Sequence, residues 1–403
     1  MRRVVVTGIG MVTPLGNSAT STFQALCNGE CGISRINNDQ FRALPVQIGG
    51  IPKFQPESWL SKLSIKSLCN TYALAACTEA LEQANYKKIN KNDIGIVMDS
   101  CSSDIVSANK KLKNSENSQE SELGPSLFMD SRSRILAEYF DIFGYNNTVV
   151  TPLGALASVG HGFNTIQDGN SKAVLVIGSQ HCVEPIHIQA LDNLGLLNRD
   201  DNGTPNNSMR PYDINAKGIV LGEGAAALVL EDYEHAKNRS AEIIAEILSF
   251  ARTNDAKYIL KADEEGNMMD KAISLSLERA NVDEKDISLV IGEGSGLHEK
   301  DRVEIQALEK LLNYPSVTTY RAGLGNMMAA SGPVQAALGA ISIKEGKVFP
   351  IHNFSASFRI KGSIPDIDFV KKCSSLALEN VLLTGISIGG NNYAMVLSKA
   401  NRN

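Results

Sequence analysis

The chain has 403 residues, of which 43% are hydrophobic and 21% charged, the balance of a globular protein too long for one ordinary core. Its formal net charge of −5 offers no basic excess for phosphate contacts and argues against nucleic-acid binding. No apolar run reaches the roughly 18 residues of a membrane span, and seven cysteines, an odd number with Cys27 and Cys31 lacking a second spaced pair, fit neither a disulfide framework nor a zinc site.

The opening MRRVVVTGIGMVTPLG places two arginines before a short apolar run, which reads as a buried strand and not as a secretory signal. Gly8-Ile-Gly10 lies within it, but the third glycine of a dinucleotide fingerprint would fall at position 13, which is Thr. Further along, apolar β-branched runs recur at Val4–Thr7, Ile94–Met98, Ala173–Ile177, Ala225–Leu230, Ile243–Ile247, Leu289–Ile291, Val381–Leu383 and Tyr393–Leu397. Such runs suit strands buried on both faces. Between them lie helical patterns at Lys66–Ala84, Ser131–Phe143, Gly154–Asp168 and Met269–Ala280, and polar loops at Lys110–Leu123 and Arg199–Asn207. The alternation predicts an α/β fold with sheets covered by helices. It occurs twice, over residues 1–245 and 246–403, with longer insertions in the first half and no Pro- or Gly/Ser-rich linker, so two similar halves are expected to pack as one unit. The cysteines are expected to be scattered core thiols in a reducing cytoplasm.

Residues 210–239 read RPYDINAKGIVLGEGAAALVLEDYEHAKNR. This stretch resembles the β-ketoacyl synthase motif RP-D-x-x-x-x-G-F-x-x-G-E-G-A with its following strand and E-x-x-x-A-x-x-R helix. VVVTGIGMVTPLGN is similar to the family's first strand and turn, GLGNMMAASGPVQA (323–336) to its glycine-rich helix start G-H-x-x-G-A-A-G, and GISIGGNNYAMVL (385–397) to its C-terminal G-F-G-G-x-N turn and final strand. The motifs come in family order and span nearly the whole chain. The resemblance implies a thiolase-like fold, two similar α/β halves in a layered αβαβα arrangement, and sheets paired across a two-fold or pseudo-two-fold axis.

In that family a cysteine at the start of a buried helix takes the acyl chain, its thiol acidified by the helix N-terminus. Two histidines assist decarboxylation of a malonyl thioester and stabilise the enolate, and backbone N–H groups form an oxyanion hole. Matching the helix register puts Pro152 at the nucleophile position, with Leu153 the one-residue alternative, and no cysteine occurs between Cys101 and Cys182. Proline there removes the attacking group and one N–H donor, and it also suits the first turn of a helix. Counting back from Asp301 and Glu304 puts Glu293 at the first histidine position, while His298, five residues on, reads as an exposed loop residue. The second histidine position holds Asn326, the preceding lysine becomes Arg321, and the phenylalanine of the glycine turn becomes Ile388, with Gly389 and Gly390 keeping the turn. A carboxylate at Glu293 opposes an anionic enolate, and an amide at Asn326 carries no proton. The resemblance therefore implies an intact scaffold with a disabled centre, no catalytic residue, no metal and no bound cofactor.

Three roles follow from it. The first is a chain-length factor that pairs with a catalytic ketosynthase, is visited by an acyl carrier protein and shapes the tunnel holding a growing polyketide, aromatic or aryl polyene. Pro152 departs from the glutamine that most such factors carry. Phe128 and Met129 match the region that crosses the interface in the family and read either as tunnel residues or as ordinary core. The second role is a malonyl-carrier-protein decarboxylase supplying a starter unit, with Asn326 donating a hydrogen bond to the thioester. The third is a purely structural partner of a ketosynthase. A cytoplasmic location is expected for each, and mild acidity predicts that an acidic carrier protein docks on the catalytic partner.

Overall fold

The computed structural model describes residues 2–101, 128–153, 155–199, 203–257, 260–360 and 362–400. Its strands are β1 (Val4–Val12), β2 (Ile33–Arg35), β3 (Ile48–Gly50), β4 (Ile94–Ser100), β5 (Asn146–Val150), β6 (Ala173–Gln180), β7 (Gly224–Asp232), β8 (Ala245–Asn254), β9 (Leu289–Ile291), β10 (Ser316–Thr318), β11 (Lys347–Val348), β12 (Asp368–Phe369), β13 (Ser374–Ser375), β14 (Asn380–Ile386) and β15 (Asn391–Ser398). The eight apolar runs fall on β1, β4, β6, β7, β8, β9, β14 and β15. β1, β4, β6, β14 and nearly all of β7 are buried residue by residue, as continuous apolar runs require.

One mixed sheet runs in the order β12-β10-β9-β14-β15-β8-β1-β7-β6-β4-β5. The order records a duplication. In β1-β7-β6-β4-β5 successive neighbours are antiparallel, antiparallel, parallel and parallel. In β8-β15-β14-β9-β10 the same four relations repeat. The two sets join where Val4–Val6 of β1 pair antiparallel with Ala245–Ile247 of β8.

Helices Ala157–Gln167 and Ser331–Glu345 lie between the two half-sheets. Val159 and Phe163 from one, and Val334 and Leu338 from the other, share a core with Val176 and Leu228 of the first half and Ile291 and Leu383 of the second. Ser331–Glu345 is buried almost all round, as a helix with no polar face must be. Helix Leu68–Gln83 covers the outer face of the first half-sheet, and Asn267–Ala280 with His298–Leu311 covers that of the second. The layers are therefore αβαβα, the arrangement of a thiolase-like fold.

Gly8 and Gly10 serve this packing. A Cβ at Gly8 would lie 2.1 Å from the Ala80 carbonyl oxygen, and one at Gly10 would lie 2.0 Å from that of Ala76. Helix Leu68–Gln83 rests directly on the backbone of β1 there. Helix Ser131–Phe140 ends three residues before the sequence pattern does, because Asp141 turns left-handed at φ 52. The predicted loop Lys110–Leu123 lies outside the described residues. Among the described residues of Arg199–Asn207 there is a 3-10 turn, Pro205–Asn207. No helix among the described residues is long and apolar enough to cross a membrane.

Candidate functional site

The site is assembled by helix His298–Leu311, whose inward acids hold the loop that follows β9. Asp301 accepts hydrogen bonds from the Ser295 and Gly296 N–H groups and from Ser295 Oγ, at 2.7, 3.1 and 2.7 Å. Glu304 accepts from the Glu293 and Gly294 N–H groups, Tyr212 Oη and Thr384 Oγ1, at 2.8, 3.2, 2.8 and 2.6 Å. The D-x-x-E spacing thus fixes the backbone that presents Glu293. His298 is exposed, as the sequence implies, but it opens this helix and is not a loop residue.

Glu293 is buried. Its Oε1 lies 2.7 Å from Arg321 Nη2, and both side chains are buried, at 5% and 1% exposure. The two side chains form a buried ion pair. Burial, aided by Glu304 and Asp301, pushes the Glu293 carboxyl up to about 7 against the pull of Arg321 and Lys300. Lys300, buried one turn before Glu304 and 3.5 Å from the Ile386 carbonyl, is driven down to about 8 by its own desolvation, which the carboxylates only partly offset. The sequence reasoning missed Lys300. Its signal was a lysine beside Asp301 on the inward stripe of an amphipathic helix.

Asn326 spends its side-chain oxygen on the chain itself. Oδ1 accepts the Met328 N–H at 2.9 Å, while its backbone bridges to Val220 and Gly222 at 2.8 and 2.9 Å. The side-chain oxygen closes a local turn that leads into helix Ser331–Glu345.

The positions before helix Ala157–Gln167 differ sharply. Pro152 is exposed to solvent. Leu153 is buried, takes a left-handed φ of 56, and packs in an apolar cluster with Met328, Ile388, Cys182 and Leu221. A left-handed leucine is strained, and only tight surroundings hold it there. Ile388 is 7% exposed, and Gly389 and Gly390 keep the tight turn at φ 94 and 75.

Phe128 is 65% exposed, so it is no core residue of the single chain, and Met129 is half-buried. The cysteines are not all core thiols, contrary to expectation. Cys69, Cys77 and Cys182 are buried, Cys27, Cys31 and Cys101 are half-buried and Cys373 is exposed. Neither cysteine that could stand in for a nucleophile is activated. Burial lifts Cys101 to about 11 despite the Leu153 N–H, and lifts Cys182 well above the usual thiol range.

A second polar centre escaped the sequence reading. After β6, His181 bridges Glu223 and Glu184 at 2.7 and 2.8 Å, and Tyr72 donates to Glu223 at 3.1 Å. Burial pulls the imidazole down, but the two carboxylates outweigh it and raise it to about 9. His181 is thus a charged tie between the G-E-G turn and the strand behind it.

A duplicated half-sheet with buried central helices, a D-x-x-E-held loop and a glycine turn facing it define a thiolase-like ketosynthase scaffold. Residues 1–236 match the family described as Beta-ketoacyl synthase, N-terminal domain, and residues 244–355 match Beta-ketoacyl synthase, C-terminal domain. The chain belongs to the β-ketoacyl synthase family. It is 26% identical to the 3-oxoacyl-[acyl-carrier-protein] synthase 2 of Coxiella burnetii, with 99% of each chain covered. In structure it is similar to the ishigamide ketosynthase/chain length factor, with a TM-score of 0.87 and 23% identity over 99% of this chain and 100% of that one. It is also similar to a type II PKS acyl-carrier protein in complex with its ketosynthase, AntDE:AntF, with a TM-score of 0.86 and 22% identity over 99% and 100%. At these identities the structural likenesses establish the fold.

Proposed function

We propose that this chain is a non-catalytic chain-length factor, the companion of a catalytic ketosynthase in a type II polyketide synthase. The observation that carries the reading is the Glu293–Arg321 ion pair, 2.7 Å across and buried, standing where the family's histidine and lysine belong. With Leu153 in an apolar cluster and the Asn326 oxygen engaged by the Met328 N–H, neither a thiol nor an imidazole stands at these positions to accept an acyl chain or manage an enolate. Of the two candidate nucleophile positions, Leu153 is the one turned inward, so we assign it the place of the lost cysteine and treat Pro152 as the residue before it.

Pairing is supported by β5, the terminal strand of the sheet. Its end residues Asn146 and Val150 are exposed and its middle is half-buried, unlike the buried strands beside it. An unpaired strand edge invites addition of another strand. Phe128, exposed and a few residues ahead of helix Ser131–Phe140, would then meet the partner and the polyketide, with an acyl carrier protein visiting the pair in the cytoplasm. The relatives named above as synthases or as parts of a ketosynthase complex make that setting chemically coherent.

The test is co-expression with a ketosynthase encoded beside this chain, followed by native mass measurement and product analysis. A one-to-one complex is expected, and Phe128→Ala should shift its product length. A chain that stays homodimeric in the presence of that ketosynthase contradicts the reading. A complex that forms but whose products ignore both Phe128→Ala and exchange of the whole chain for a relative favours a purely structural partner.

A further inference from the structure

Away from that centre, two cysteines distant in sequence share one surface groove. Helix Ala19–Cys27 ends at Cys27, and Cys373 directly precedes β13. β13 pairs antiparallel with β11, Ser374 lying opposite Val348. The register of these pieces is fixed by aromatic packing: Phe23, one helical turn before Cys27, meets Phe349, the residue after β11, edge to face with centroids 6.1 Å apart. Residues four apart share a helix face, so Cys27 continues the line that Phe23 begins towards the β11–β13 pair, whose Lys347 lines the same groove. Both cysteines line a groove of about 370 Å³, with Glu345 and Lys347 at its rim. Cys27 is half-buried and Cys373 exposed, and both are free thiols.

We infer that Cys27 and Cys373 form a dithiol modification site at which a small-molecule disulfide of the glutathione type installs a covalent link between the two halves of the chain. The chemistry is two successive exchanges. The exposed Cys373 loses its proton and its sulfur attacks one sulfur of the small disulfide. That S–S bond breaks, and the first small thiolate leaves and takes up a proton. Cys27 then loses its proton and attacks the Cys373 sulfur of the mixed disulfide, expelling the second small thiol. The two cysteines give up two electrons, and the small disulfide is reduced to two thiols.

The order follows from exposure and charge. Burial, then contact with Cys373, holds the Cys27 thiol at about 12, whereas Lys347 pulls it down. Cys27 is therefore a poor first attacker. Once Cys373 is capped its sulfur no longer develops negative charge beside Cys27, and the remaining exchange is intramolecular. The link would tie the first long helix to the segment between β11 and β14, and would close a loop spanning most of the chain.

The test treats the full-length reduced protein with oxidised glutathione at mildly alkaline pH and counts thiols after denaturation. The seven free thiols should fall to five, the mass should drop by two hydrogen atoms, and digestion should yield a Cys27–Cys373 linked peptide. Cys373→Ser should keep all its thiols under the same treatment, and Cys27→Ser should retain glutathione on Cys373. Retention of seven thiols by the unmodified protein, a stable glutathione adduct in place of the link, or the same loss of thiols in Cys373→Ser would each overturn the inference.

Discussion

Arg321 and Glu293 form a buried pair at 1% and 5% exposure whose carboxylate is fully charged only above about pH 7, and its energetics are lopsided. Removing one partner leaves the other buried and uncompensated. Arg321→Met alone should cost roughly 3–5 kcal/mol, read as a fall in urea midpoint, whereas Glu293→Leu with Arg321→Met should stay within about 1–2 kcal/mol of the parent or exceed it. The sign of the pH dependence is also fixed. Glu293 holds its proton up to about 7 in the folded chain against 4.5 in the free residue, so its contribution is fully present below 4.5 and is lost as pH rises through 7. Lys300 releases its proton near 8 instead of 10.5, so its folded form gains as pH rises from 8 to 10.5. Together these two groups should depress the urea midpoint most between pH 7 and 8, read as the difference from a Glu293→Gln with Lys300→Met variant across the pH range. Glu293, Arg321, Asn326 and Ile388 were each legible in the sequence by spacing to retained motif residues. That Glu293 and Arg321 touch was not, because they sit 28 positions apart on different elements and nothing local couples them. Leu153 was left open for a different reason. Counting back along a helix assumes helical residues to its start, and the helix begins at Ala157 after a left-handed turn that no periodicity reveals.

At the scale of elements, the strand and helix that carry most of the first half meet backbone to backbone. Gly8→Ala would drive a methyl to 2.1 Å from the Ala80 carbonyl oxygen, so helix Leu68–Gln83 must lift from β1. The expected loss is roughly 1–3 kcal/mol, detectable as a lower melting temperature, while Gly29→Ala, where nothing lies within 4 Å, should cost less despite its left-handed φ of 71. The tie between β6 and the turn before β7 titrates in the opposite region from Glu293. His181, raised from 6.5 to about 9, contributes stability that is fully present below 6.5 and is lost as pH rises through 9. His181→Gln should remove that alkaline loss from the unfolding profile. The long strands were legible because burial on both faces demands unbroken apolar runs. β10 to β13, two or three residues each with Ser316, Asp368, Ser374 and Ser375 among them, carry no such pattern, and only their neighbours in space make them strands.

For the whole molecule, the repeated strand order shows how the scaffold proposed above would stand without condensing chemistry. The folding information lies in two half-sheets, their shared central helices and the acids that pin the 292–297 loop, and none of these needs a thiolate or an imidazole. The duplication could be read from the sequence as a recurrence of elements, but the antiparallel join of β1 to β8 could not, since three residue pairs across a chain midpoint leave no local mark. What the centre can do is decided by incubating the purified chain with malonyl- and acyl-loaded carrier protein, alone and with the proposed ketosynthase partner, and following carbon dioxide and condensed product together. The account predicts neither from the chain alone and both from the pair. Carbon dioxide release by the chain alone that disappears in Asn326→Ala would contradict it and make the chain a decarboxylase.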